Sequence, residues 1–294
     1  MTLGGIVPAL IGIYDDDGQP DANRTTAVVN HLLGRGVHGF YVGGSTGESL
    51  LQSAAEREKV LATVVEAVAG RATVIAHVGA PDTATTIRLA HHATDIGADA
   101  ISAVTPIYYE LSAAAHADHF KRVAEHSELP LIGYHFPGRT GVVLPPEWFI
   151  ELAEDGVLAG LKYTSTDLHA LAEIRRGAPA DFIIFNGSDE VFAGGLALGA
   201  DGAIGSTFNA IPGVYLDLLS AWREGDVAAA LTRQAEANTF IHEMAKVNFI
   251  AFLRRALLGL GLDTGQSRAP LPRLSAQEIA AVDASLAQLG LPTP

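Results

Sequence analysis

Short apolar runs alternate with longer amphipathic segments along most of the chain, and this alternation restricts the fold more than any other feature. The apolar runs predict eight strands, at residues 5–13, 39–42, 73–78, 100–104, 131–134, 157–162, 182–186 and 202–205. Segments between them, such as residues 54–68 and 83–96, carry apolar side chains at three- and four-residue spacing, which is typical of helices. Asp21, Ser53 and Asp82 precede such segments as caps. Alternating strands and helices indicate crossover units whose strands pair in parallel.

Eight such units in a chain of 294 residues predict an α/β fold in which the sheet closes into a (β/α)₈ TIM barrel rather than an open doubly wound sheet. After the last strand, further helices are predicted at residues 211–221, 226–244, 249–258 and 276–289. One of them completes the barrel, so the others form an extension. We therefore divide the chain into a barrel, residues 1–225, and a C-terminal helical extension, residues 226–294, with a linker at residues 265–272.

Composition and charge exclude several classes of function. The chain has no cysteine, which excludes disulfides, thiolate metal sites and a cysteine nucleophile, and indicates an intracellular protein. It shows neither a secretory signal nor an apolar run of about 20 residues, so we expect a cytoplasmic protein without a membrane partner. A net charge of −14 argues against nucleic-acid binding. The arginine pairs Arg175-Arg176 and Arg254-Arg255 are interpreted as solvated helix faces.

Lys162 ends the sixth predicted strand and is followed by small hydroxyl residues, Thr164 and Ser165. An exposed lysine has a pKa of about 10.4 and is almost entirely protonated at neutral pH. Burial at a strand end lowers that pKa and frees the amine to attack a carbonyl carbon. The alternative is a lysine whose stem packs on apolar surface while its ammonium reaches water. The residues at the other strand ends favour the nucleophile.

The C-terminal ends of the strands of a TIM barrel meet at the face that carries the active site. Ser45 and Thr46 follow the second strand in a glycine-rich loop whose N–H groups suit a carboxylate or a phosphate. The other strand ends contribute Tyr108, Tyr134, Arg139, Thr164, Gly187, Asp189, Glu190, Gly205 and Ser206. His116 and His119 fall on a predicted helix and are interpreted as surface side chains, so we expect no metal site.

The chain resembles, over nearly its whole length, the pyruvate-dependent class I aldolases that include N-acetylneuraminate lyase and dihydrodipicolinate synthase. The motifs that carry the resemblance are Gly44-Ser45-Thr46-Gly47-Glu48, residues 134–141 and Gly160-Leu161-Lys162.

The resemblance implies a role for each residue of the motifs. Lys162 would form a Schiff base with the 2-oxo carbon of pyruvate or of the substrate, while Ser45 and Thr46 would hold the carboxylate. Tyr134 would act as general acid and base. Tyr108 from a neighbouring subunit would complete a proton relay with Thr46, as in a homotetramer. Because the substrate bonds covalently to the lysine, no cofactor is expected.

The strand ends after residues 186 and 205 favour the lyase branch of this family. In the lyases the matching Gly, Asp, Glu and Ser bind the hydroxyl tail of a sugar acid; here Gly187, Asp189, Glu190 and Ser206 would do so, with Thr164 and Gly205 beside them. Arg139 instead favours the synthase branch. The synthases carry an arginine there that clamps the carboxylate of aspartate semialdehyde, although Arg139 could equally pair with Glu190. His135 replaces an asparagine common to both branches.

The leading hypothesis is a Schiff-base lyase that cleaves N-acetylneuraminate, or a related 2-oxo sugar acid, to pyruvate and an aldose. Alternatives are a dihydrodipicolinate synthase that condenses pyruvate with aspartate semialdehyde, and an aldolase or dehydratase acting on deoxy-oxo-sugar acids. A different class of function is a catalytically silent barrel that only binds a 2-oxo acid or a partner protein.

Overall fold

The computed structural model describes residues 3–294, and in them eight parallel strands form one sheet in the order β1-β8-β7-β6-β5-β4-β3-β2. The strands are β1 (Gly5–Pro8), β2 (Gly39–Val42), β3 (Thr73–His77), β4 (Ala100–Val104), β5 (Leu131–His135), β6 (Gly160–Tyr163), β7 (Ile183–Asn186) and β8 (Gly202–Gly205). The His38 N–H donates to the Ile6 carbonyl at 2.9 Å and the Leu10 N–H to the Tyr41 carbonyl at 2.9 Å, and these bonds join β1 to β2. The predicted TIM barrel is therefore confirmed.

Helices follow the strands and continue beyond the barrel. They are α1 (Ala22–Gly34), α2 (Ala54–Val68), α3 (Thr83–Asp95), α4 (Ala113–Glu125), α5 (Pro137–Thr140), α6 (Pro146–Glu154), α7 (Leu168–Gly177), α8 (Phe192–Ala197), α9 (Pro212–Arg223), α10 (Val227–Met244), α11 (Phe249–Gly259) and α12 (Ala276–Gln288). The side chains of Asp21, Ser53 and Asp82 cap α1, α2 and α3 as predicted. Within the described range, no helix is both long enough and apolar enough to span a membrane.

The strands place alternate side chains inside and outside the barrel. Val7, Tyr41, Ile132, Tyr134 and Phe185 belong to the apolar cluster that fills the barrel interior. The other core cluster, which includes Phe40 of β2 and Phe252 of α11, lies between the sheet and the helices. Lys162 of β6 is paired with Tyr134 of β5 on one side and with Phe185 of β7 on the other. Register neighbours in parallel strands project to the same face, so Lys162 points into the barrel.

The C-terminal extension is tied to the barrel by a buried ion pair. The Arg254 guanidinium of α11 donates to Glu48 Oε1 at 2.6 Å, and their side chains are 7% and 0% exposed. The backbone N–H of Arg268 donates to the other oxygen of Glu48 at 3.0 Å. The interpretation of Arg254 as part of a solvated face was wrong, because it neutralises a buried carboxylate. Arg268, within the predicted linker at residues 265–272, is thus also held against the barrel by Glu48.

The histidines of α4 differ from the expectation. His116 and His119 are buried, so their interpretation as surface side chains was wrong. His119 Nδ1 lies 2.9 Å from the hydroxyl of Thr83, and burial lowers the pKa of His119 to about 4. Both histidines occupy the inner face of α4, beside Phe120 and Val123, where the helix packs on the core. In residues 3–294 no cluster of three or more His, Cys, Asp or Glu side chains has the arrangement of a metal site.

Candidate active site

Lys162 is buried at the C-terminal end of the barrel, with 4% of its surface exposed. Its Nζ lies 4.1 Å from the ring centroid of Tyr134 and 4.2 Å from that of Tyr41. Burial lowers the pKa of Lys162 to about 7, although the negative charge of Asp189 acts in the opposite direction. A large share of the molecules therefore carries a free amine at neutral pH, which is the state that a nucleophile requires.

Tyr134 stands beside Lys162 on the neighbouring strand β5. Burial raises the pKa of Tyr134 to about 12, although the hydroxyl groups of Ser45 and Thr164 act against that increase. The phenol therefore keeps its proton at neutral pH and is first of all a proton donor. Thr164 Oγ1 is buried and, among the described residues, has no hydrogen-bond partner of normal geometry. Its hydroxyl lies at the cleft beside the Tyr134 phenol.

The loop after β2 forms one wall of the site. Its Gly43 has a φ of +78°, a conformation that favours glycine, and the Gly43 carbonyl accepts a hydrogen bond from His77 Nδ1 at 2.8 Å. Ser45 is exposed at the rim, whereas Thr46 is buried. Thr46 Oγ1 lies 2.7 Å from Ser206 Oγ, a hydrogen bond that joins this loop to the end of β8.

Asp189 and Glu190 form the acidic side of the site, in the turn after β7. Asp189 is buried, and its Oδ2 accepts hydrogen bonds from the N–H of Thr207 at 3.0 Å and from its hydroxyl at 2.7 Å. Burial raises the pKa of Asp189 to about 6, although the Thr207 bonds act against the increase. Glu190 is exposed at the rim. This side of the cleft therefore presents the carboxyl groups of Asp189 and Glu190 to a ligand.

A cleft of about 300 Å³ connects these side chains. It is lined by Ser45, Thr46, Tyr134, Phe136, Arg139, Lys162, Thr164, Gly187, Ser188, Asp189, Glu190, Ile204, Ser206, Thr207, Ile241, Met244 and Phe249. Most residues predicted at the strand ends thus meet in one cleft. Gly187 is needed there for space, because a Cβ at this position would overlap Thr164 Oγ1.

Gly205 and Tyr108 do not line the cleft. The Gly205 carbonyl accepts the Ala9 N–H at 2.9 Å, and a Cβ at Gly205 would overlap Asp189 Oδ1. Gly205 therefore makes room for the carboxylate, and its contact with a substrate stays a prediction. Tyr108 is 91% exposed and packs edge-on against Tyr109, with ring centroids 5.2 Å apart. Its action in a neighbouring subunit stays a prediction.

Arg139 lies at the rim, on the one-turn helix α5. Its guanidinium carbon is 5.7 Å from the ring centroid of Phe249. A structural pair with Glu190 is not observed among the described residues, and the binding of a second carboxylate by Arg139 stays a prediction. His135 points away from the cleft and stacks on Tyr163 at 5.4 Å between ring centroids. Its difference from the family's asparagine thus lies outside the site.

Sequence reasoning missed two sets of residues. The first is Tyr41, which contacts Lys162 from inside the barrel; the period-two alternation of β2 could have identified it as pointing inward. The second set comes from the extension: Ile241, Met244 and Phe249 form an apolar wall of the cleft. No local signal identifies them, because periodicity does not show where a helical extension packs.

Comparison with known proteins gives matches over nearly the whole chain. Residues 2–289 match the sequence pattern described as the Dihydrodipicolinate synthetase family. An N-acetylneuraminate lyase of Salmonella typhimurium is 42% identical over 257 residues, which is 87% of this chain and 86% of that protein. The structure of Ruminococcus gnavus sialic acid aldolase has a TM-score of 0.94 and 33% identity, covering 98% of this chain and 97% of the other. CdNal from Clostridium difficile, solved in complex with mannosamine, has a TM-score of 0.95 and 29% identity, covering 98% and 100%.

Proposed function

The chain belongs to the dihydrodipicolinate synthetase family of pyruvate-dependent lyases, and we propose that it cleaves N-acetylneuraminate, or a closely related 2-oxo sugar acid, to pyruvate and an aldose. The observation that carries the proposal is the buried amine of Lys162, which opens into the same cleft as the carboxylates of Asp189 and Glu190. The similarity to N-acetylneuraminate lyases and sialic acid aldolases supports this choice of substrate.

The first step joins the substrate to Lys162. The carboxylate of the open-chain sugar acid binds the loop that carries Ser45 and Thr46, which places the 2-oxo carbon beside the amine. The nitrogen lone pair forms the C–N bond and the carbonyl oxygen takes up protons and leaves as water, giving an iminium. Tyr134 is protonated at neutral pH and is the donor placed to supply one of these protons.

The second step breaks the C3–C4 bond. Its electron pair moves into the iminium and forms an enamine, while the C4 hydroxyl loses its proton and becomes the aldehyde of the aldose. Because the phenol of Tyr134 already carries a proton, it accepts the C4 proton only as it passes its own to a neighbouring oxygen. The enamine then gains a proton at C3, and water hydrolyses the iminium to pyruvate and free Lys162. Substrate and water supply every atom, so we expect no cofactor.

The acidic side of the cleft would hold the hydroxyl tail of the sugar. Asp189 keeps Oδ1 available, since both Thr207 bonds end on Oδ2. Glu190 and Ser206 add acceptors along the same wall. A row of acceptors suits vicinal hydroxyl groups, which donate hydrogen bonds. Thr164 and the backbone of Gly187 complete the binding side.

Trapping the covalent intermediate tests the chemistry. Incubation with pyruvate and borohydride should add one reduced pyruvate to the intact protein, and peptide mass spectrometry should place it on Lys162. Lys162→Ala should lose the adduct, whereas Lys121→Ala, at a half-exposed lysine, should retain it. Tyr134→Phe should still form the adduct but turn over about 10²-fold more slowly. A wild-type protein that forms no adduct would end the Schiff-base proposal.

A substrate panel tests the specificity separately. Pyruvate release should be measured with N-acetylneuraminate and related 2-oxo sugar acids, and pyruvate uptake with aspartate semialdehyde. We expect turnover of the sugar acid and none with the semialdehyde. The opposite result would leave the Schiff base intact and overturn the substrate.

We further propose that the working form is a cytoplasmic homotetramer in which Tyr108 reaches the cleft of a neighbouring subunit. Support comes from the exposure of Tyr108, Tyr109 and Leu111 on one loop, and from the positive φ of +83° at Tyr108, which is a strained conformation for a tyrosine. Sedimentation should give four subunits, and Tyr108→Phe should reduce turnover without changing the subunit count.

A further inference from the structure

The nitrogen of Lys162 lies in a corner formed by the faces of two tyrosine rings. The ring centroids of Tyr41 and Tyr134 are 4.2 and 4.1 Å from Nζ, and the two rings are nearly perpendicular, at 83° and 6.0 Å between centroids. Both distances fall well inside the range of about 6 Å over which a ring face attracts a cation. Tyr134 also faces the cleft, whereas Tyr41 does not line it. Tyr41 therefore contacts the nitrogen and leaves the substrate to other residues.

The groups behind this corner are held neutral. The Tyr41 hydroxyl lies 3.0 Å from Ser102 Oγ, and burial raises the pKa of Tyr41 well above its ordinary value. His77 packs on both tyrosines, with centroid distances of 5.8 and 6.0 Å. Its Nε2 accepts the Val104 N–H at 3.2 Å, so its proton is on Nδ1, which donates to the Gly43 carbonyl. Burial holds the pKa of His77 well below its ordinary range.

The reaction of the proposed function needs a cation at this nitrogen. Only the protonated Schiff base withdraws electrons strongly enough to accept the pair from the breaking bond, and the neutral imine does not. Burial favours the neutral imine, because desolvation penalises the charged form, and the carboxylate of Asp189 acts on this nitrogen only at a distance. A ring face stabilises a buried cation without adding a negative charge. Two ring faces at van der Waals distance thus act on the species that the reaction depends on.

We propose that Tyr41 is a catalytic residue whose ring face, together with that of Tyr134, stabilises the cationic iminium on Lys162. The proposal rests on the Schiff-base chemistry of the proposed function and adds to it a residue that never touches the sugar. It assigns the effect to the ring and not to the hydroxyl, which is turned away toward Ser102. Loss of one desolvated ring contact corresponds to a factor of about 10 or more in the population of the cation.

Substitutions at Tyr41 separate ring from hydroxyl. Ser102→Ala removes the partner of the Tyr41 hydroxyl and should retain kcat within about threefold. Tyr41→Phe keeps the ring and should lower kcat far less than a variant without the ring. Tyr41→Leu removes the ring and should lower kcat about tenfold or more. It should also slow reduction by cyanoborohydride, which attacks the iminium but not the neutral imine, more than reduction by borohydride. If Tyr41→Phe lowers kcat as much as a folded Tyr41→Leu does, the ring is not what stabilises the iminium.

A series that preserves the shape of the ring covers the case in which Tyr41→Leu fails to fold. Phenylalanine with zero to three ring fluorines, incorporated at Tyr41, weakens the negative face of the ring stepwise with little change in size. The logarithm of kcat should fall with each fluorine while KM stays constant. A flat series in an enzyme that still forms the pyruvate adduct would overturn this inference alone. Absence of the adduct in the wild type would instead remove the proposed function.

Discussion

Replacing Lys162 with methionine should make the folded protein more stable near neutral pH. Methionine has a similar length and no charge, so it can occupy the same space between the two rings. The pKa of Lys162 is lowered from 10.5 to about 7 by burial. In the unfolded chain the amine is protonated at pH 7. Folding therefore requires Lys162 either to lose that proton or to bury the charged ammonium. The shift corresponds to about 4 kcal/mol of lost stability at pH 7.

The sign of the effect depends on pH. Below pH 7 both folded and unfolded chains are protonated at Lys162, and the full penalty is present. Between pH 7 and 10.5 only the unfolded chain still holds the proton, so the free energy of unfolding of the wild type rises with pH relative to the variant. Above pH 10.5 the amine is neutral in both states and the difference disappears. Asp189, with a pKa of about 6, titrates below this window.

Urea unfolding at pH 7, 8.5 and 10, at one protein concentration, measures the difference. The advantage of Lys162→Met should fall from about 4 kcal/mol at pH 7 to about 1 kcal/mol at pH 10. Lys121→Met is the matched control, because that side chain is 46% exposed and should give the same small difference at each pH. A difference for Lys162→Met that does not change with pH, or a variant less stable than the wild type at pH 7, would refute the reasoning.

Two further predictions follow from the charges of the site. The rate of pyruvate adduct formation, measured by borohydride trapping, should rise about tenfold per pH unit below pH 7 and level off above it, since the pKa of Lys162 is lowered to about 7. A rate that does not change between pH 5 and pH 9 would contradict this. Arg254→Met leaves the Glu48 carboxylate buried without its partner and should lower the free energy of unfolding in urea by about 3–5 kcal/mol. Arg255→Met is the control and should lower it by less than about 1 kcal/mol, because its partner Asp283 is 29% exposed. Equal losses in the two variants would argue against the anchoring role of Arg254.

The sequence predicted the barrel well because each strand and each helix is indicated by the pattern of apolar residues within its own segment. The limits of β2, β4 and β8 agree with the prediction, since each of these apolar runs is buried and is bounded by polar residues or glycine. The sixth strand was placed too early. Val157 and Leu158 donate their N–H groups to the Leu152 carbonyl and so end the preceding helix, rather than pairing with β5. A continuous apolar run does not distinguish a helix end from a strand start.

The candidate site was predictable wherever it follows from a strand end, and not where it depends on long-range packing. The order of strands brings Lys162 and Tyr134 together because β5 and β6 are neighbours in both sequence and space. The contact of Phe249 with Arg139 has no such basis, because an extension that leaves the barrel can pack on several faces. The same holds for Arg254 and Glu48, which are 206 residues apart. Charge alone suggested a solvated arginine, and only the fold supplies its buried partner.

The position of Asp189 allows the cleft to contain a carboxylate without keeping the amine of Lys162 protonated. A carboxylate in contact with Lys162 would raise the pKa of the amine and keep it protonated, which would remove the nucleophile. Within residues 3–294 Asp189 and Lys162 form no ion pair: Thr207 holds Oδ2 of Asp189, and the absence of a side chain at Gly205 gives Oδ1 its space. The carboxylate thus remains in the cleft for hydroxyl groups but acts on the amine only at a distance. Stabilisation of the later cation then falls to the faces of Tyr41 and Tyr134, which attract a cation more weakly than a carboxylate in contact with the nitrogen would.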